Sequence, residues 1–97
     1  MSVLMIVNAK INPKKTEALK EYSSRASEIF KKAGAQPVQK ISIDQTLTGT
    51  STIDFISITE WPDKETLTQV FSSKSYEELL TLRKAAFESL DVFVSAG

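Results

Sequence analysis

The sequence predicts an α+β fold with the element order β-α-β-β-α-β, and three observations carry that prediction. VLMIVNAKI at residues 3–11 and IDFISITEW at 53–61 are β-branched, apolar runs without a helix breaker. After the first of them, Leu19, Tyr22, Ala26, Ile29, Phe30 and Ala33 recur at three- and four-residue steps, which is one buried stripe of an amphipathic helix. After the second, the helical spacing returns and LDVFVS at 90–95 closes the pattern as a last strand. This order is the ferredoxin-like split βαβ arrangement, a four-stranded antiparallel sheet with helices on one face. At 97 residues it is one domain over positions 1–97.

Each element has its own signals. Asn12 and Pro13 read as an N-cap followed by proline at the first helical position. At the far end of that helix, Lys31 and Lys32 suit the dipole and Gly34 supplies a left-handed stop. PVQKISID, residues 37–44, alternates as an edge strand, given its proline and lysine. QTLTGTST is a polar turn or loop around Gly49. Pro62 ends the strongest strand, and Asp63 caps a short helix that turns Leu67, Val70 and Phe71 inward. SSKS breaks the second helical unit in two. SYEELLTLRKAAF, residues 75–87, then forms an amphipathic helix, capped by Ser75 with Glu78 or by Ser73.

Composition excludes more than it assigns. Twelve basic and twelve acidic residues cancel, so no long-range field favours nucleic acid or an anionic membrane. The chain has no cysteine and no histidine, which removes disulfides, thiolate sites, the usual general base near neutral pH and the commonest metal ligand. Neither a metal nor a cofactor is expected. Serine-type hydrolysis lacks its activating imidazole, and Gly34 and Gly49 are too isolated for a phosphate loop. Lys14, Lys15 and Lys20 interleave with Glu17 and Glu21 as a solvated helix face. The opening VLMIV is short for a signal peptide and no run reaches membrane-span length, so a cytoplasmic protein is expected.

The sheet is expected to be covered on both sides. Val3, Met5 and Val7 point one way and Leu4 and Ile6 the other; Ile53, Phe55 and Trp61 oppose Ile56 and Ile58. Two apolar faces on central strands predict a homodimer that buries the helix-free face of each copy. The alternative is a strand assignment one residue out, which would shuffle the faces. Phe55, Ser57, Thr59 and Trp61 share a face of apolar walls and hydroxyls, suited to a small-molecule pocket and equally to interface packing.

Arg83 sits on the apolar stripe of the last helix with Tyr76, Leu79 and Leu80, and three readings compete for it. Its stem packs at the margin and its head reaches water. Or it is buried and paired with Glu60 at the end of the third strand. Or it faces a cavity and binds a ligand's anionic group. On the third reading Arg83, Glu60 and Tyr76 form the candidate catalytic site, with Glu60 as base where burial raises its pKa. Asn8, Phe55, Ser57, Thr59 and Trp61 are then the candidate ligand-binding residues.

The second half carries Glu60-Trp61-Pro62-Asp63, Phe71-Ser72-Ser73-Lys74-Ser75-Tyr76 and Leu82-Arg83-Lys84-Ala85-Ala86. With looser matches at Asn12-Pro13, Glu21-Tyr22 and Ala33-Gly34, these resemble the bacterial domain of unknown function 1330 family. The family more often has phenylalanine where this chain has Trp61. The resemblance implies the dimeric α/β-barrel superfamily, whose members include cofactor-free monooxygenases, muconolactone isomerases, chlorite dismutases and haem-degrading enzymes. It implies no activity, and fold alone transfers none. Asn8 and Trp61 match the monooxygenases as residue types, but no local motif aligns them. The expectation is therefore a homodimer that binds a small organic ligand beside each sheet and acts on it without cofactor, by proton transfer or oxygenation. The rival is a non-enzymatic assembly or regulatory module whose polar residues hold the fold.

Overall fold

A computed structural model describes residues 1–96. The elements follow as β1 (Val3–Ile11), α1 (Thr16–Lys32), β2 (Gln36–Ser42), β3 (Phe55–Trp61), α2 (Lys64–Phe71), α3 (Lys74–Glu77), α4 (Leu80–Ala86) and β4 (Phe87–Val94). The strands form one sheet in the order β2-β3-β1-β4, with every neighbouring pair antiparallel. This is the ferredoxin-like α+β fold, with the first and third strands central.

The register assigns the faces. Val3, Met5, Val7 and Ala9 of β1 oppose Trp61, Thr59, Ser57 and Phe55 of β3, and all eight lie toward the helices. Leu4, Ile6 and Asn8 oppose Glu60, Ile58 and Ile56 on the open face. Strand β4 adds Leu90 and Val92 to the helix side and Asp91 and Phe93 to the open side. The core lies between sheet and helices, where Trp61, Tyr76 and Leu79 are fully buried. Each such side chain contributes about 1.5–3 kcal/mol through apolar burial. Strand β2 is exposed along its whole length, and its pairing with β3 slips between Pro37 and Gln39, as a proline-bearing edge strand allows.

Four local expectations need correction. Helix α1 begins at Thr16, not beside Pro13. Asn12 instead closes a turn, its side-chain oxygen accepting the Lys14 N–H at 3.1 Å and its carbonyl accepting the Lys15 N–H at 3.1 Å. Strand β3 starts at Phe55 rather than Ile53; just before it, the Asp54 N–H donates to the Ala9 carbonyl at 2.7 Å, its carbonyl accepts the Ile43 N–H at 2.9 Å, and its carboxylate accepts the Ile11 N–H at 2.6 Å. The helix expected over 75–87 is two pieces, α3 and α4. Of the two caps expected, Ser73 is the one used, its hydroxyl accepting the Tyr76 N–H at 3.2 Å. Phe87 belongs to β4, where it is buried against Tyr22. Asp63 caps α2 as expected, accepting the Thr66 N–H at 2.6 Å. Gly34 stops α1 at φ +93°, a left-handed conformation.

Candidate functional site

Small side chains on two elements leave a cleft open to solvent beside the core. Ser23, Ala26 and Ser27 on α1 and Ser57 and Thr59 on β3 line it, with Ser23 and Ser27 on its exposed side. The result is a cavity of about 780 Å³ between α1 and the sheet. Met5, Val7, Phe55, Leu90 and Val92 give it an apolar wall, with Phe30, Phe71 and Phe87 at its aromatic side. Lys31 from the last turn of α1 and Lys40 from β2 stand at its exposed rim. The Lys40 ammonium lies over the Phe55 ring, 4.4 Å from its centroid. The volume is within the range of small-molecule sites.

Tyr22 of α1 lines the cavity, and its hydroxyl lies 2.7 Å from that of Tyr76 on α3. Arg83 of α4 donates from Nη1 to the same Tyr76 oxygen at 3.1 Å, with its guanidinium 5.7 Å from the centroid of the Tyr76 ring. Three elements are thus joined by a chain that runs Arg83, Tyr76, Tyr22 and ends at the cavity wall. Burial pushes the Tyr22 phenol well above its ordinary pKa of 10.0, so its hydroxyl stays protonated across the physiological range. Phe87 meets Tyr22 edge-on at 5.6 Å, which fixes the ring.

The sequence-predicted residues divide between two faces. Arg83 and Tyr76 come together, and Phe55, Ser57 and Thr59 line the cavity. Glu60 does not join them. It is exposed on the open face, beside Leu4 and Gln36, because strand alternation sends it opposite to Thr59 and Trp61. The expected Arg83–Glu60 pair is therefore not formed, and the arginine's partner is a phenol. Asn8 also lies on the open side, in a smaller hollow with Lys10, Thr52 and Asp91. Trp61 is buried behind Phe30 at a ring distance of 5.2 Å, and its Nε1 has no hydrogen-bond partner among the described residues. Tyr22 is the residue the sequence reading missed as a functional candidate. Its place on the α1 stripe marks it as core, and the hydroxyl that gives it a polar role comes from 54 positions away. The described residues hold no cluster of three or more potential metal ligands, and no helix among them is long and apolar enough to cross a membrane.

The fold has many solved counterparts. RPA0582 from Rhodopseudomonas palustris, a protein of unknown function, matches with a TM-score of 0.84 at 19% identity, over 99% of this chain and 82% of that one. A dimeric ferredoxin-like protein of unknown function from Bacteroides fragilis matches at 0.66 with 10% identity, over 97% and 94%. SnoaB from Streptomyces nogalater, a cofactor-independent oxygenase, matches at 0.69 with 9% identity, over 99% and 92%. A putative antibiotic biosynthesis monooxygenase from Nitrosomonas europaea is a further neighbour at 0.68 and 15% identity, over 99% and 89%. At these identities the likeness is one of fold. No curated protein matches the chain. The sequence model of the domain of unknown function DUF1330 matches residues 2–97, and the chain belongs to that family.

Proposed function

We propose that the protein works as a homodimer in which each copy holds a small organic molecule in the cavity between α1 and the sheet. The observation that carries this reading is the cavity itself: about 780 Å³ bounded by apolar side chains, with a few hydroxyls and ammonium groups for orientation. Phe55, Ser57 and Thr59 wall the ligand, while Arg83 and Tyr76 act behind the wall by holding Tyr22. Glu60, Asn8 and Trp61 take no direct part.

The dimer rests on the open face. Leu4, Ile6, Ile56 and Ile58 form its centre, and Ile41 and Phe93 remain 37% and 51% exposed at its sides. An apolar strip across a whole sheet is unusual for a monomer, and the same face of a second copy covers it by two-fold symmetry. The dimeric state of the Bacteroides fragilis counterpart supports this arrangement.

The lining offers hydrogen-bond donors and no carboxylate, so the chemistry it suits is holding and polarising an oxygen atom. Cofactor-independent oxygenation is a second reading, supported by the activity of SnoaB and by donors able to stabilise an oxyanion. Native mass spectrometry of freshly purified protein, followed by denaturing mass on the same sample, tests the proposal. A dimer carrying extra mass that leaves on denaturation supports it. A monomer contradicts the dimer, and a dimer that never takes up a small molecule favours an assembly or regulatory module.

A further inference from the structure

The charges around the cavity are all of one sign. Among the described residues, Tyr22, Lys31 and Lys40 are the ionisable groups that line it, and none is a carboxylate. The ion pairs among the described residues use Lys10, Arg25 and Lys32, so neither Lys31 nor Lys40 has a carboxylate partner. Lys40 is nonetheless positioned, held over the Phe55 ring at the wall.

The phenol pair adds a donor. Two hydroxyl protons and one Arg83 N–H meet at two oxygens, with one bond between the phenols. If Tyr22 donated, the Tyr76 oxygen would accept twice and its own proton would have no partner in a site only 1% exposed. If Tyr76 donates, every group behind the wall is satisfied and the proton left over is that of Tyr22, which lines the cavity. The second arrangement avoids a buried unsatisfied donor.

We infer that the ligand is an organic carboxylate on an apolar body, its charge met by Lys40 and Lys31 at the rim and an oxygen accepting from Tyr22. A carboxylate is chosen over a phenol or enol because it arrives ionised at neutral pH, and the lining holds no base to ionise the others. This inference rests on the cavity being the ligand site.

The test is calorimetric titration of the protein with 2-naphthoate and with 2-naphthamide, which has nearly the same shape and no charge. The carboxylate should bind about tenfold more tightly, the scale of one charge-assisted contact. Lys40→Gln, at an exposed position, should weaken 2-naphthoate more than 2-naphthamide and so shrink that preference. Tyr22→Phe should weaken both probes, since each presents an oxygen acceptor. Equal binding of the two probes, with no effect of Lys40→Gln, overturns the carboxylate assignment while the cavity reading stands. Binding of neither probe up to millimolar concentration overturns the cavity reading and this inference with it.

Discussion

Tyr76→Phe removes one oxygen and nothing else, and that oxygen holds two hydrogen bonds. It accepts from Arg83 at 3.1 Å and bonds Tyr22 at 2.7 Å. The ring keeps its packing against Phe71 at 4.6 Å and its place beside the guanidinium. Two lost bonds at about 0.5–1.5 kcal/mol each give a total of about 1–3 kcal/mol. Arg83 is half-buried and turns to water, and Tyr22 still donates into the cavity, so no larger penalty for a stranded group is added. For a domain of this size about 2 kcal/mol corresponds to a Tm lower by roughly 8–16 °C. Urea unfolding followed by Trp61, the only tryptophan and fully buried, reads the change at fixed protein concentration. The cycle with Tyr22→Phe is the sharper form of the experiment. Because the two single variants lose the same phenol–phenol bond, the double variant should cost less than their sum by about 0.5–1.5 kcal/mol. Wild-type stability in Tyr76→Phe, or strict additivity in the cycle, would refute the chain from Arg83 to the cavity.

The remaining predictions concern the interface and two helix ends. Ile58→Glu places a charge at the centre of the open face, opposite Ile6, and in both copies of a dimer. An unpaired buried charge costs about 3–5 kcal/mol, so even one of the two raises the dimer Kd by roughly 100- to 4,000-fold; sedimentation should show folded monomer, and an unaffected dimer would place the interface elsewhere. Gly34→Ala forces a Cβ onto a residue at φ +93° and within 3.1 Å of Pro62 Cγ. The left-handed conformation alone lowers stability by about 1–2 kcal/mol in urea unfolding, and no change would mean that the turn relaxes. The Thr66 N–H holds the Asp63 carboxyl below its ordinary 3.8. The unfolded chain therefore takes up this proton at higher pH than the folded one. The stabilisation is complete above about 3.8 and is lost as pH falls through the lower folded value. Asp63→Asn keeps an acceptor without the charge, so its acid unfolding profile should lack the wild type's extra decline in that window; identical profiles would remove the charge from the account.

Most of the fold was legible because strand and helix periods are strong over long runs. β1 is bounded in the structure as it is in the sequence, and the two faces of β1 and β3 follow directly from alternation. The boundaries that failed did so where two signals compete. Asn12-Pro13 suits a helix start and a turn equally, and a backbone bond from Asn12 N–H to the Ala86 carbonyl at 2.9 Å decides for the turn. Phe87 continues the helical spacing of 75–87, yet it pairs with Ile11 at the start of β4. Glu60 was misplaced for a different reason. Its parity already put it opposite Trp61, and closeness to the end of a strand was no substitute for sharing a face with Arg83. The cavity had no sequence signal of its own, because Ala26, Ser27, Ser57 and Thr59 look unremarkable until α1 is laid across β3. The same holds for Tyr22, whose phenol partner comes from a different helix.

Amide chemical-shift mapping of the isotope-labelled protein with 2-naphthoate locates the ligand on one side of the sheet or the other. With the ligand between α1 and the sheet, resonances of Tyr22, Ala26, Phe55, Ser57 and Val92 should move together and saturate at one ligand per chain. Shifts confined to Leu4, Ile6, Ile58 and Phe93 on the open face would contradict that placement.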